Sequence, residues 1–312
     1  MASFELFILC HNRPEMAELA INSALNQIDK DFTLIISDNS TTNDVYNLCI
    51  SKYPKIKYVR RYLNNNLEHF KCCISEANSD YFCIFHDDDL LIKNFIEIAK
   101  HYADLYPSLV AFGYNSFLSI NGDNVRRHFY NSHKTIYIIN NVQTLINAYF
   151  NFSTFGYPAF PGYVYKKSVQ TILYPSNGGK YSDFQWLVML INLGNIGWIN
   201  TPTFIYNLHG NNDSLRESMG DRLKTLSFIK NSNMQFSSLD LNIYRIFLYN
   251  RLILCCNYKK ITSYKKIYDK VKIHFVFNYK IYIFLYEFII NKLINKYNKI
   301  FKKGNYVDAL EE

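Results

Sequence analysis

The stretch Tyr81-Phe-Cys-Ile-Phe-His86-Asp87-Asp88-Asp89-Leu90-Leu91 joins a run of aromatic and branched residues directly to three consecutive carboxylates. The run at 81–85 predicts a buried strand. Three adjacent like charges cost free energy unless positive charge lies among them. A divalent cation is the simplest partner, because hard cations prefer oxygen ligands such as carboxylates and phosphates. The stretch therefore predicts a metal–diphosphate site at a strand end. The alternative, open above all for Asp89, is an acidic turn that caps the next helix.

Strands and helices alternate around this stretch. Strands are predicted at 4–10, 32–37, 56–60 and 81–85. One helix is predicted to begin at Pro14, and three more are predicted at 44–52, 67–77 and 94–106. Such alternation predicts βαβ units on a parallel sheet, with ligands bound at the carboxyl ends of the strands. That edge would carry Asn12, Arg13, Asp38 and the acidic cluster. Neither GxGxxG nor GxxxxGK[ST] occurs, so a nucleotide would be held without a glycine-rich phosphate loop.

The middle of the chain is less regular. Strands are predicted at 109–113, 162–166, 196–199 and 204–209, and helices at 142–150 and 184–193. Residues 152–161 combine aromatic residues with glycine and proline, which predicts a shaped loop. From about Asp221 glycine and proline nearly disappear, and apolar residues three and four apart predict helices.

Composition separates the last part of the chain from the rest. Residues 245–303 hold fourteen lysines and arginines against two acidic residues, so this segment is +12 while the whole chain is +8. The remainder is therefore −4, which indicates that the segment meets an anionic surface. The seven cysteines are odd in number and form no CxxC pair, which favours reduced thiols in a cytosolic protein. We also expect no signal peptide, because the first residues lack a basic region.

Several motifs in order resemble inverting, metal-dependent family 2 glycosyltransferases of the GT-A fold, especially bacterial ones that build surface polysaccharide. They cover roughly residues 4–215 and are Phe7-Ile-Leu-Cys-His11-Asn12-Arg13-Pro14, Ser23-Ala-Leu-Asn-Gln27, Ile35-Ile-Ser-Asp38-Asn-Ser-Thr, Glu76-Ala-Asn-Ser-Asp-Tyr81, Phe85-His-Asp-Asp-Asp89, Ser182-Asp183 and Tyr206-Asn-Leu-His209-Gly-Asn-Asn-Asp-Ser214. Two departures matter. His86 stands where the family usually has an acidic residue, and Ser182-Asp183 replaces a Glu-Asp pair.

The resemblance implies an α/β architecture of the GT-A type, a Rossmann-like mixed sheet flanked by helices, with a C-terminal α-helical extension. The catalytic domain would span 1–220, with a nucleotide-sugar half at about 1–106 and an acceptor half at about 107–220. Residues 221–312 would form the basic amphipathic extension.

The resemblance also implies roles on the donor side. Asp38 would accept a hydrogen bond from the nucleotide base, and His11, Asn12 and Arg13 would line the base and ribose, with turn chemistry as the alternative for each. Lys71 would contact the nucleotide. The metal, Mn²⁺ or Mg²⁺, would be held among Asp87, Asp88, Asp89 and His209, with Asp87 on the ribose or the metal.

On the acceptor side, Asp183 would be the general base that removes the proton of the attacking hydroxyl. Its alternative is an N-cap for the helix that follows. Trp186 and Phe160 would stack on acceptor sugars, with core packing as the alternative.

These expectations define an enzyme that moves a sugar from a nucleotide diphosphate, UDP before dTDP or GDP, to a saccharide hydroxyl with inversion. The alternative is a non-catalytic nucleotide-sugar or glycan-binding module of the same fold; nucleic-acid binding is disfavoured because acidic strand ends have no use there. Residues 245–303 would bind the anionic inner face of the cytoplasmic membrane, where a lipid-linked acceptor lies, or pack as a subdomain or homodimer contact. No run there is apolar enough to span a membrane.

Overall fold

The amino-terminal half alternates strands and helices, as the sequence predicts. The computed structural model describes residues 2–62, 65–120, 123–127, 134–150, 157–175, 178–209 and 219–231, together with Phe236, Leu241 and Tyr244. The basic segment at 245–303 lies outside these residues, so the membrane, subdomain and homodimer expectations for it stay predictions.

Ten strands and seven helices are formed by the described residues. The strands are β1 (Phe4–Cys10), β2 (Thr33–Asp38), β3 (Lys57–Arg60), β4 (Tyr81–His86), β5 (Leu90–Leu91), β6 (Ala111–Ile120), β7 (Asp123–Arg127), β8 (Ile136–Ile139), β9 (Tyr163–Lys166) and β10 (Ile196–Leu208). The helices are α1 (Pro14–Leu25), α2 (Asp44–Lys52), α3 (Asn66–Glu76), α4 (Phe95–Leu105), α5 (Val142–Phe150), α6 (Ser182–Ile191) and α7 (Met219–Asn231).

All ten strands join one mixed sheet. The order is β3-β2-β1-β4-β9-β6-β10-β5, with β7 beside β6 and β8 beside β10. The first four strands of this order are parallel, while β9 is antiparallel to both β4 and β6. In the register, Cys10 is paired with Asp38 and Leu9 with His86. The ends of β1, β2 and β4 are therefore level, and the residues after them meet at one edge.

The prediction made from the sequence for the carboxyl-terminal half of the sheet differs from the structure in two ways. It predicted separate strands at 196–199 and 204–209, whereas β10 is one strand whose register slips around Pro202. Proline lacks an N–H for the ladder and makes a local irregularity rather than an end. The short strands β5, β7 and β8 were not predicted, because few residues give little periodicity to read.

Side chains of β1 and β4 alternate between two cores, one on each face of the sheet. Phe7, Phe82 and Ile84 pack with helices α3, α5, α6 and α7. Leu6, Ile8, Cys83 and Phe85 pack with α1, α2 and α4. Because both faces are covered, the strands read as nearly continuous apolar runs.

Cysteine pairing and membrane-spanning helices can both be assessed for the described residues. The five cysteines within the described residues are free thiols. Of the helices that the structure describes, none combines the length and apolarity that a membrane crossing requires.

A buried histidine ties helix α3 to strand β2 beneath the strand ends. The Nε2 atom of His69 lies 2.8 Å from the Ser37 hydroxyl, and His69 is 3% exposed. Arg61 donates to the same hydroxyl at 3.0 Å and forms two 2.6 Å contacts with Glu76. Burial, aided by Arg61, lowers the pKa of His69 from 6.5 to about 4. His69 is therefore neutral in the folded protein at neutral pH.

We expect His69 to make the free energy of unfolding sensitive to mild acid. Its pKa is lower in the folded than in the unfolded chain, so the unfolded chain takes up the proton first and stability is lost as pH falls from 6.5 towards 4. Between pH 7 and 4.5, urea unfolding should show wild type losing about 2 kcal/mol more than His69→Gln. The exposed His101→Gln is the control and should follow wild type. Parallel pH profiles for wild type and His69→Gln would contradict the assignment.

Candidate active site

The loop after β1 is locked to the loop after β2 by Asn12. Its backbone has φ of 53°, a left-handed conformation that asparagine tolerates better than most residues. The backbone N–H of Asn12 donates to the Ser40 hydroxyl at 2.7 Å, and its Oδ1 accepts the Thr41 N–H at 2.8 Å. Asn12 thus fixes the shape of the turn, as the turn-chemistry alternative expected.

His11 presents an oriented ring to solvent beside this turn. Its Nδ1 lies 3.1 Å from the backbone oxygen of Asn39 and 3.0 Å from the Asn39 side-chain oxygen. Both are acceptors, so Nδ1 carries the proton, and Nε2 is left to accept from the Asn12 amide at 3.3 Å. The residue is exposed, so its ring is available to a ligand.

Asp38, at the end of β2, is fully buried and engaged by neighbours. It accepts hydrogen bonds from the Ser40 N–H at 2.8 Å, the Tyr58 hydroxyl at 2.5 Å and Arg60 at 2.8 Å. Arg60 also donates to the backbone oxygens of Ser40 and Thr42 at 2.7 and 2.8 Å. In this structure Asp38 therefore organises the β2–α2 loop. The sequence analysis missed the roles of Tyr58 and Arg60, although it predicted a strand at 56–60.

The first carboxylate of the cluster, Asp87, is buried and used by the β1–α1 loop. Its Oδ2 accepts the His11 backbone N–H at 3.0 Å, and its Oδ1 pairs with Arg13. Burial raises the pKa of Asp87, against the opposing charge of Arg13. Both oxygens are thus turned towards this loop.

Asp88 is held between two elements that are distant in sequence. Arg13 contacts its Oδ2 at 2.8 Å, and His209, directly after β10, contacts the same oxygen at 3.1 Å. Burial alone would raise the pKa of Asp88, but His86, Arg13 and His209 outweigh it and lower the pKa. Because the carboxylate is ionised, Nε2 of His209 carries the proton of this hydrogen bond.

Asp89 has one engaged oxygen and one without a partner. Its Oδ1 accepts the Asn207 backbone N–H at 2.9 Å, and its Oδ2 is buried with no hydrogen-bond partner among the described residues. Burial and the neighbouring Asp88 raise its pKa well above the usual range. The helix-cap alternative fails for Asp89, because Leu90–Leu91 is a strand and α4 begins only at Phe95.

A cation site is best supported by His86, Asp88 and Asp89. Their potential ligand atoms all lie within 4.8 Å of one another. The buried, unpartnered Asp89 oxygen fits a divalent cation, because an uncompensated buried carboxylate is costly. His86 was not predicted as a ligand; its position directly before the carboxylates was the available indication. Asp87 and His209, also predicted as ligands, contact Arg13 and Asp88 respectively, and their ligand roles stay predictions.

Asp183 lies in the first turn of α6. Its Oδ1 is buried with no hydrogen-bond partner in the part of the chain that is described. Burial raises its pKa from 3.8 to about 6. Hydrogen bonds from the backbone N–H groups of Phe184 and of Asp183 itself oppose this rise in pKa. The carboxylate therefore also serves the first turn of α6, as the N-cap alternative expected, although the cap residue is Tyr181. Asp183 is thus a partly desolvated base near neutral pH.

The remaining predicted site residues are dispersed. Trp186 has no exposed surface and packs on Tyr174 at 5.4 Å, in agreement with the core-packing alternative. Phe160 is half-buried and packs on Phe70 at 5.1 Å. Lys71 is half-exposed and lies 3.4 Å from Glu68 on its own helix. None of the three contacts the acidic cluster in the described hydrogen bonds and ring contacts.

Three solved structures share the fold. Residues 1–349 of TarS from S. aureus in complex with UDP-GlcNAc are 15% identical, with a TM-score of 0.59 over 79% of this chain and 71% of that chain. The same fragment in complex with UDP is 16% identical, with a TM-score of 0.60 over 85% and 77%. The mannosyltransferase PcManGT from Pyrobaculum calidifontis, in complex with GDP-Man and Mn²⁺, is 8% identical, with a TM-score of 0.53 over 97% and 88%. At these identities the likeness shows the GT-A fold.

A family model adds sequence information to this likeness. The model described as glycosyl transferase family 2 matches residues 5–160, which include the loops after β1, β2 and β4. A search of curated protein sequences finds no match. Because the family match spans half of the 312 residues and agrees with the fold, the chain belongs to glycosyl transferase family 2.

Proposed function

We propose that this protein transfers a sugar from a nucleotide diphosphate, with UDP as the nucleotide, to a hydroxyl of a saccharide with inversion. The observation that carries the proposal is the meeting of His86, Asp88 and Asp89 with the loops after β1 and β2 at one sheet edge. Family membership sets the reaction class. The complexes of TarS with UDP-GlcNAc and UDP, and of PcManGT with GDP-Man, support a nucleotide-sugar donor.

The nucleotide would lie across the loops after β1 and β2. His11 offers an exposed and oriented ring to the base or ribose, and Asn12 holds the turn. Asp38 would position the loop that contacts the nucleotide base, because it shapes that loop together with Arg60. Alternatively, it would accept a hydrogen bond from the base once its contact with Arg60 has broken. Arg13, paired with Asp87 and Asp88, would line the ribose, and Lys71 would contact the nucleotide.

A divalent cation, Mn²⁺ or Mg²⁺, would be held by His86, Asp88 and Asp89. Arg13 and His209 fix the direction of Asp88 by hydrogen bonds to its Oδ2. When bound, the cation offsets charge on the leaving diphosphate. Mn²⁺ in the PcManGT complex supports this choice of metal class.

Asp183 is the proposed general base. Inversion needs one carboxylate that takes the proton of the acceptor hydroxyl as its oxygen attacks the anomeric carbon opposite the leaving group. The unpartnered Oδ1 is free to accept that proton, and a pKa of about 6 leaves the group ionised at neutral pH.

The cellular role extends the proposal beyond the site. The protein would assemble a bacterial surface polysaccharide on an acceptor carried by lipid, peripherally at the cytoplasmic face of the membrane. The +12 charge of residues 245–303 supports this proposal. A homodimer contact through the same segment is the competing proposal.

Removing the unpartnered carboxylate should weaken metal-dependent nucleotide binding. In calorimetry with UDP and Mn²⁺, we expect Asp89→Asn to raise the Kd at least about tenfold, because one ligand oxygen becomes an amide. EDTA should have a similar effect on wild type. Asp104→Asn, an exposed carboxylate on α4, is the matched control and should leave the Kd unchanged. Equal heats for wild type with and without Mn²⁺ would remove the cation from the proposal.

Asp183→Asn should abolish transfer while leaving donor binding intact. Loss of a general base lowers kcat by about 10²–10⁴-fold, and the UDP Kd should not change. Wild-type kcat/KM should rise with pH and level off above about 6, where Asp183 is deprotonated. Nucleotide-sugar hydrolysis and transfer assays measure both quantities.

Glu97→Gln is the matched control for Asp183→Asn. It removes an exposed carboxylate from the first turn of α4 and tests for loss of a helix-terminal charge alone. Equal rates of hydrolysis and transfer in Asp183→Asn and wild type would remove the catalytic assignment of Asp183. Donor binding by wild type without any hydrolysis or transfer would favour the non-catalytic binding module.

The membrane proposal predicts selective flotation of the full-length protein. It should float with liposomes containing anionic phosphatidylglycerol, remain behind with pure phosphatidylcholine, and detach as salt screens the basic segment. Flotation that does not depend on lipid charge would contradict an electrostatic contact.

A further inference from the structure

Buried polar atoms without a hydrogen-bond partner gather around Asp183. Within the described residues they include the hydroxyls of Tyr149 and Tyr165, the indole Nε1 of Trp186 and Oδ1 of Asp183 itself. Tyr165 is 2% exposed and Trp186 has no exposed surface. Tyr149 and Asp183 are half-buried. The group thus combines three donor atoms and one carboxylate oxygen that are all buried, and two of its residues also reach the surface.

Three different elements bring these atoms together. Tyr149 lies in the last turn of helix α5, Tyr165 lies on strand β9, and Asp183 and Trp186 both lie on helix α6. The rings of Tyr165 and Trp186 lie 6.4 Å apart. Burial raises the pKa of both tyrosine hydroxyls, and the nearby Asp183 carboxylate adds to each effect. The four groups therefore form one cluster, which we name the Asp183 pocket.

Such a cluster is unusual for a core that only packs. Buried polar atoms are almost always hydrogen-bonded, and phenylalanine would fill the same volume without a desolvation cost. The Tyr114 hydroxyl, another unpaired buried atom, lies in the core on the opposite face of the sheet. Around Asp183, unpaired donors from three residues accompany an unpaired carboxylate oxygen.

A series of contacts between aromatic rings connects the Asp183 pocket with the candidate cation group. Tyr174 packs on Trp186 at 5.4 Å and stacks on Phe70 at 5.5 Å. Phe70 in turn contacts His86 edge-on at 5.7 Å. The rings of Tyr174 and Phe70 therefore lie between the unpaired donors and the candidate cation group.

We infer that Tyr149, Tyr165 and Trp186 form a subsite for the hydroxyls of a pyranose acceptor, which is oriented against Asp183. This inference rests on the proposed function and names the groups that hold its acceptor. Trp186 acts in it through its indole N–H, not through a stacking face. The three donors bind ring hydroxyl oxygens, and Oδ1 of Asp183 accepts the hydrogen of the attacking hydroxyl.

The chemical step balances within this arrangement. The acceptor oxygen forms a bond to the anomeric carbon as its proton passes to Asp183. The bond from the anomeric carbon to the phosphate oxygen breaks, and its electron pair leaves with the nucleoside diphosphate. The tyrosines and the tryptophan position the acceptor and exchange no proton.

Buried water is the rival occupant, and thermal unfolding of the unliganded protein distinguishes the two. If the hydroxyls have no partner until a sugar binds, Tyr149→Phe and Tyr165→Phe should keep or raise the Tm. If structural waters satisfy them, both variants lose hydrogen bonds and the Tm falls.

Saturation-transfer NMR on the full chain tests sugar binding directly. The probes are the methyl β-pyranosides of glucose, galactose and N-acetylglucosamine, with UDP and the diamagnetic Mg²⁺ present. We expect at least one probe to bind wild type and its Kd to rise about fivefold or more in Tyr165→Phe and Tyr149→Phe. The Kd for UDP should be unchanged. Tyr114→Phe, which removes an unpaired buried hydroxyl from the other core, is the control and should bind the probe as wild type does.

Each remaining outcome counts against the inference. No binding of any probe to wild type, or equal binding by Tyr165→Phe together with a lowered Tm, would overturn it. In those cases, retained Mn²⁺-dependent UDP binding and Asp183-dependent hydrolysis would leave the proposed function standing. Loss of both in wild type would instead remove the proposed function itself.

Discussion

Compensation of three adjacent buried carboxylates is the constraint on which the site depends. Asp87 and Asp89 are almost completely buried, and Asp88 is nearly so. Such charges are tolerated only when hydrogen bonds or opposite charges reach them. Arg13 from the β1–α1 loop, His209 from the end of β10 and the Asn207 N–H each supply part of this compensation. The same contacts bind the end of β10 and the first loop of the chain to the end of β4, so the two halves of the fold converge on the acidic cluster.

Much of this arrangement could be predicted from local pattern. Continuous apolar runs marked β1, β2 and β4, and parallel pairing placed their ends together, which correctly put Arg13 beside Asp87 and Asp88. The mixed α/β fold and the family were likewise confirmed. These features depend on period and order along the chain, which one sequence carries.

Other features could not be read, because they depend on lateral neighbours. The pairing of Arg60 with Asp38 follows from the register of β3 against β2, and no local pattern encodes that register. The two-residue strand β5 turned Asp89 away from a helix cap and towards Asn207. His86 became a candidate ligand only when the backbone brought its ring to the same side as Asp88 and Asp89.

The two sides of the proposed site differ in how far their polar groups are satisfied. On the donor side, Asn12, Asp38 and Arg60 use each other and the loop backbone, so the loops are shaped before any nucleotide arrives. Around Asp183 the polar atoms have no such partners among the described residues, and they stay desolvated. A satisfied network favours rigid recognition of one ligand part, whereas unpaired donors gain a hydrogen bond only when a ligand supplies it. On the proposed acceptor side, binding free energy would therefore be available to orient the acceptor hydroxyl at Asp183, and such orientation can supply a large part of a rate enhancement.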